Sequence, residues 1–297
     1  GAVASLADIA NHPRRTFLGT LALVITLACA MQAKDMSNNV LVAILWIVSV
    51  VLFLVACAPL DSKIDLEQIR TAVSRNRAEF ALAAVLLVIG AFARTYRLDT
   101  YPFGVEQDEG LFGSEAVRIL LGERLRLFGT TWYFDHTVVY TYLQATSMAL
   151  FGPNAIGMRT LSGVMGSVSL LFTYLLTRRM FGKGTALLAG ALITFAPMHL
   201  LFSRMGIHDM IVMLTYIPIV VYFLFSGLLS RRVSDYAAAG LFLGIGLWMD
   251  YNNKIMVLIP IVLGMLGYVF IIKWRYWKTE YPKIAILLAG AAPTLVP

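Results

Sequence analysis

Charge is what this sequence has least of. Only 14% of its 297 residues are charged, where ordinary soluble domains carry roughly 25%. Mean hydropathy is +0.76. These values exclude a soluble globular domain. Cysteine is limited to Cys29 and Cys57, both inside apolar runs, so neither a disulfide framework nor a CxxC metal site can be built. There is no Walker loop, no GxGxxG after a strand, no HExxH, no GxSxG and no Cys/His cluster. Nucleotide-sugar chemistry on a Rossmann domain is therefore excluded. No ionisable residue sits well inside an apolar run, so proton- or ion-coupled transport finds little support. The net charge of +7 does not argue for nucleic acid, because its distribution follows membrane topology.

What the sequence has in abundance is long apolar stretches. Runs long enough to span lie near 16–33, 40–60, 79–95, 160–177, 184–201, 210–229, 235–249 and 255–272, and a ninth begins near 283. In lipid every backbone amide must be bonded internally, so such runs become helices. The expected fold class is all-α: a polytopic transmembrane helical protein with about nine spans. Arg14 and Arg15 precede the first run without a small-residue cleavage site, which favours an anchor over a signal peptide. The chain opens on Gly1 and stops at Pro297 within an apolar run, so a processed chain, incomplete at its C-terminus, is expected. Residues 1–78 read as an added hairpin plus a cytosolic linker, and 79–297 as the main transmembrane module. Gly240 and Gly244 form a GxxxG expected to serve close helix packing.

Segment 138–151 has about 14 residues, fewer than the roughly 20 needed to cross. If it does not cross, 15 of the 24 Lys and Arg residues share one side, in the N-terminus and in 61–78, 178–183, 230–234 and 273–283. The positive-inside rule is then obeyed at every loop. Segment 137–152 is accordingly read as juxtamembrane. The loop 96–136 and the turns 202–209 and 250–254 then lie together on the external face.

That loop, YRLDTYPFGVEQDEGLFGSEAVRILLGERLRLFGTTWYFDH, holds seven of the chain's 17 acidic residues. Within it, 111–127 is expected to form an interfacial amphipathic helix, with Leu111, Ala116, Ile119 and Leu120 opposite Glu115, Arg118 and Glu123. The adjacent Asp108 and Glu109 admit two readings. They are solvated carboxylates favouring a helix dipole, or one of them accepts a proton from an acceptor hydroxyl. Asp209 caps the helix starting at Met210 or belongs to a site. Arg204 snorkels at a helix end or binds an anionic phosphate through its planar fork. Lys254, within DYNNK, is an interfacial anchor or a further phosphate contact. His136 closes the loop; a single histidine is more often structural than catalytic.

Three stretches carry a resemblance: YPFGVEQDEGLFGSEAVRIL (101–120), YTYLQATSMALFGPNAIGMRTLSGVMGSVSLLFTYLLTRRMFGKGTALLAGALITFAPMHLLFSRMGIHD (140–209) and GLFLGIGLWMDYNNKIMVLIP (240–260). In order and spacing, over roughly 79–272, the chain resembles the C-type membrane glycosyltransferases that use polyprenyl-phosphate sugars, in the protein O-mannosyltransferase and aminoarabinose lipid A transferase group. The resemblance implies that Asp108 is the catalytic first-loop acid with Glu109 beside it. It implies that Arg159, Arg204 and Asp209 line the site, and that Lys254 is the lysine of the third stretch. The family's His-Pro-Pro-Leu is here His136-Thr137-Val138-Val139, a departure that relaxes the turn into the juxtamembrane segment.

The expected function is transfer of a sugar from a polyprenyl-phosphate carrier to a hydroxyl on a protein or glycolipid acceptor, with inversion. No cofactor is called for, and a divalent cation is left open. The expected setting is a prokaryotic plasma membrane with the active face outside. The alternative is a non-catalytic subunit derived from this fold, acting as scaffold among partners in a larger membrane complex.

Overall fold

A computed structural model describes residues 12–34, 39–58, 66–130, 138–230, 232–249, 258–272 and 277–295. Every regular element among them is a helix: α1 (Pro13–Gln32), α2 (Asn39–Cys57), α3 (Leu66–Arg75), α4 (Arg77–Thr95), α5 (Gln107–Leu120), α6 (Val138–Phe151), α7 (Ala155–Phe181), α8 (Lys183–Phe195), α9 (Pro197–Phe202), α10 (His208–Ser230), α11 (Val233–Met249), α12 (Leu258–Ile272) and α13 (Trp277–Leu295). The all-α membrane fold is thus realised. Among the described residues α1, α2, α4, α7 and α10 are long and apolar enough to cross a membrane. Helix α6 has 14 residues, about 21 Å at 1.5 Å per residue, against a hydrocarbon core of about 30 Å.

Proline explains where the expected runs are interrupted. The run 184–201 divides into α8 and α9 because Pro197 pushes Ala196 into extended backbone (ψ 116). Pro218 lies inside α10; with no N–H it leaves the carbonyl four residues earlier, Leu214, without a helical donor.

The chain divides into two compact units. One comprises 1–60, 124–139 and 223–297, the other 61–123 and 140–222. In the first, α11 packs on α13 so closely that a Cβ at Gly240 would lie 1.9 Å from the Leu287 carbonyl oxygen, and one at Gly244 would lie 2.1 Å from Thr294 Oγ1. The GxxxG therefore serves helix approach. Trp248 stacks on Phe128 (ring centroids 4.2 Å) and leans on Trp46 (5.4 Å).

In the second unit, α4 packs against α7 and α8. At one end Glu79 of α4 is ion-paired with Arg178 of α7 and accepts a hydrogen bond from Tyr174 (2.7 Å). Helix α5 packs Ala116 against Ala145, Met148 and Met158 of α6 and α7. It begins four residues before the expected 111 because Glu106 caps it. It ends at Leu120, short of the expected 127, because Gly122 just beyond it has a positive φ (97°) that lets the Glu123 N–H reach the Arg118 carbonyl. Its buried face differs from the one read in the sequence: Glu115 is fully buried, whereas Leu120 is exposed.

Candidate functional site

The site is built on the first turn of α5. The Glu106 carboxylate accepts hydrogen bonds from the N–H groups of Asp108 (2.8 Å) and Glu109 (3.4 Å), and Glu109 Oε2 accepts one from the Glu106 N–H (3.4 Å). This capping box fixes the helix start. Consecutive helical residues point about 100° apart, and the two neighbouring acids part accordingly. Asp108 is exposed and Glu109 is fully buried.

Glu109 meets Arg159 of α7 in a bidentate ion pair. Arg159 Nε donates to Oε1 and Nη2 to Oε2, both at 2.7 Å, and the Gly206 N–H donates to Oε1 at 2.6 Å. The remaining Arg159 donors hold the loop between α4 and α5. Nη1 reaches the carbonyls of Leu98 (2.7 Å) and Pro102 (3.0 Å), and Nη2 that of Gly104 (2.5 Å). Arginine has five N–H groups, and here each has an acceptor. A buried ion pair must satisfy its leftover donors to offset desolvation, and this one does so with loop backbone. Arg159 and Glu109 thus hold the base of the site, and the Asp108 carboxylate beside them accepts no hydrogen bond among the described residues.

Gly206 is tied from both sides. Its carbonyl accepts from Gln144 Nε2 (3.0 Å), which also reaches the Met158 carbonyl (3.2 Å). A Cβ there would lie 2.7 Å from Met158 Cγ, so only glycine allows this approach. Arg204, two residues earlier, is half-buried. Its Nη1 donates to the Ala93 carbonyl, and its Nη2 lies 2.8 Å from that of Tyr96, 3.4 Å from Arg97 and 3.0 Å from Tyr101. It thereby collects the carbonyls freed at the end of α4. Burial, then the neighbouring Arg159 charge, lowers its pKa. Its Nε–H makes no hydrogen bond among the described residues.

Helix α10 starts at His208, so Asp209 lies in its first turn instead of capping it from outside. Asp209 Oδ1 is 2.7 Å from His208 Nδ1. The His208 ring is buried against Phe112 (4.9 Å) and Tyr140 (5.3 Å). Burial above all, with the Glu109 and Asp209 charges adding, raises the Tyr140 phenol above its usual range, while its bond to Ser162 Oγ (2.9 Å) opposes this.

Sequence reasoning missed a second buried network. Arg94, at the end of α4, is fully buried with no carboxylate partner among the described residues. Its Nη1 donates to the Gly90 carbonyl (2.9 Å); its Nη2 donates to the Ile193 carbonyl (3.0 Å) and to His199 Nδ1 (3.0 Å). Because Nδ1 accepts, Nε2 carries the ring proton and faces Ser169 Oγ at 3.1 Å. Ser169 in turn donates to the Leu214 carbonyl (2.5 Å). Ile193 and Leu214 each stand four residues before a proline, Pro197 and Pro218, so both carbonyls lack their helical donor. The network supplies one to each. The signal in the sequence was these two prolines, not the histidine.

Lys254 and His136 lie outside the described residues. Among the described residues no group of three or more His, Cys, Asp and Glu side chains is placed to hold a metal ion.

A sequence profile described as dolichyl-phosphate-mannose-protein mannosyltransferase matches residues 135–296. That stretch contains Arg159, Arg204 and Asp209, while Asp108 and Glu109 precede it. No curated protein and no solved structure matches the chain.

Proposed function

The chain belongs to the dolichyl-phosphate-mannose-protein mannosyltransferase family, and on that premise we propose that it moves a sugar from a polyprenyl-phosphate carrier to a hydroxyl acceptor. Asp108 takes the proton from the hydroxyl as that oxygen attacks the anomeric carbon. The carbon–oxygen bond to the lipid phosphate breaks and the configuration inverts. Arg204 stabilises the departing phosphate through its Nε–H. Glu109 and Arg159 set the height and direction of the turn bearing Asp108 and take no part in bond making. The reaction face is the one opposite the Lys- and Arg-rich loops, outside a prokaryotic plasma membrane, and the acceptor is a protein or a glycolipid.

The observation carrying this reading is the contrast between two adjacent acids. Glu109 is closed off by four hydrogen-bond donors, whereas Asp108 is exposed, accepts no hydrogen bond among the described residues and stands on a locked helix start. A base must be free to reach its proton, and a tight frame serves to place it. The test is turnover by the purified full chain with polyprenyl-phosphate-linked mannose and a serine- or threonine-containing acceptor peptide. Product formation that is lost in Asp108→Asn supports the assignment. A second reading, a non-catalytic scaffold subunit, draws on the commitment of Glu109 and Arg159 to holding backbone. It predicts no turnover with any donor and copurification in fixed stoichiometry with a membrane complex.

A further inference from the structure

The loop joining α4 to α5 carries a feature that the transfer chemistry does not use. Phe103 is 97% exposed, and its neighbours Tyr101 and Val105 are also more than half exposed. A bare phenylalanine flanked by two further apolar groups is costly in water, because apolar surface left hydrated forgoes the gain of burial. Nor is this loop loose. Its backbone is fastened at Leu98, Pro102 and Gly104 by Arg159 and at Tyr96 and Tyr101 by Arg204, with turn bonds from the Thr100 and Tyr101 N–H groups to the Arg97 carbonyl. The exposure of Phe103 is therefore imposed by a rigid base.

What covers it is indicated by where the loop sits. Helix α4 is one of the long apolar helices, and its exposed residues Leu82, Val85, Val88, Ile89 and Phe92 follow helical spacing along one face. In a spanning helix that face meets lipid. The stripe continues past the helix end, where the Tyr96 ring stacks on Phe92 at 4.6 Å. One Arg204 nitrogen touches the carbonyls of both Tyr96 and Tyr101, so the loop doubles back onto the end of the span. Phe103, two residues on, is held within about 7 Å of Tyr101 along the chain. Aromatic rings at that level suit the interface between headgroups and acyl chains.

We infer that the Tyr101–Val105 tip is a membrane-seated wedge: Phe103 inserts into the bilayer surface as a continuation of the lipid face of α4, and fixes the depth at which the first turn of α5 rides. The occupant is lipid. It is present without substrate or protein partner. The inference needs α4 to span the membrane and is independent of the role given to Asp108.

The experiment is collision accessibility of a nitroxide on the full chain in phosphatidylcholine–phosphatidylglycerol vesicles, with Cys29 and Cys57 replaced by alanine. Labels are placed at Phe103→Cys, at Val88→Cys as the lipid reference and at Gln107→Cys as the aqueous one. The ratio of oxygen to nickel-chelate collisions at 103 should lie several-fold above that at 107 and approach that at 88. Phe103→Trp, which keeps a large apolar ring, should show fluorescence, above the background of the native tryptophans, that is quenched by bromine on the upper acyl chain. A ratio at 103 equal to that at 107, with no bromine quenching of Phe103→Trp, overturns the inference. So does shielding at 103 that arises only when an acceptor peptide is added, since the tip would then be a protein-binding surface.

Discussion

Replacing Ser169 with alanine should be costly in this chain and much less so in a chain that also lacks Pro218. Ser169 Oγ donates to the Leu214 carbonyl and faces His199 Nε2, so Ser169→Ala removes two partners at once. Each buried polar group left unpaired costs about 1–3 kcal/mol. The membrane setting moderates this, since interhelical hydrogen bonds there average roughly 0.6 kcal/mol; the expected loss is about 2 kcal/mol. Pro218→Ala restores an N–H at position 218, four residues beyond Leu214, and the carbonyl regains its helical donor. In that background Ser169→Ala leaves only the histidine N–H unpaired and should cost about 1 kcal/mol. The coupling between the two substitutions is then about 1 kcal/mol. Reversible unfolding of the four proteins in mixed micelles measures it, against an additivity error of about 0.3–0.5 kcal/mol. Coupling indistinguishable from zero would refute the claim that the serine stands in for the amide that proline lacks.

Asp108→Asn should lower turnover at least about a hundredfold, the lower range for losing a general base, with unfolding unchanged within about 0.5 kcal/mol; wild-type rates would remove the assigned role. Arg159→Met should destabilise by about 3–5 kcal/mol, because it strands a buried carboxylate, and adding Glu109→Gln should recover part of that loss in the same unfolding measurement. Arg204→Lys should weaken apparent affinity for the polyprenyl-phosphate sugar roughly tenfold at matched folded protein. Unchanged affinity with lowered stability would make Arg204 a clamp for the end of α4 alone. Arg118→Lys, whose parent pairs with Glu123 on the surface, should change neither.

The helices were legible because lipid imposes one rule: a long apolar run must be helical, and α1, α2, α4, α7 and α10 follow their runs closely. The break at Pro197 was less visible, since hydropathy alone does not register the loss of an N–H. The start of α5 was misjudged because glutamate is an uncommon cap and the apolar periodicity begins only at Leu111. Asp108 and Glu109 could be picked out by composition, but adjacency says nothing about which faces inward. That was decided by Arg159, fifty residues away, and by Gly206, ninety-seven away. The burial of Arg94, at the end of the run 79–95, was not legible, because its acceptors are the Gly90 carbonyl of its own helix, the Ile193 carbonyl freed by a proline in another helix, and His199.

Arg159 grips the loop through the carbonyls of Leu98, Pro102 and Gly104. A carbonyl belongs to the peptide unit and is the same whichever side chain is attached. The grip is therefore indifferent to what stands at Asp99, Thr100, Tyr101 or Phe103, and constrains composition only where backbone shape demands it, as at Gly104 with its φ of +75°. The segment beside Asp108 is an exchangeable facing on a fixed frame. Its outward surface can be rewritten to suit a different neighbour without moving the carboxylate relative to Arg159, although the depth of the whole turn in the membrane would change with it.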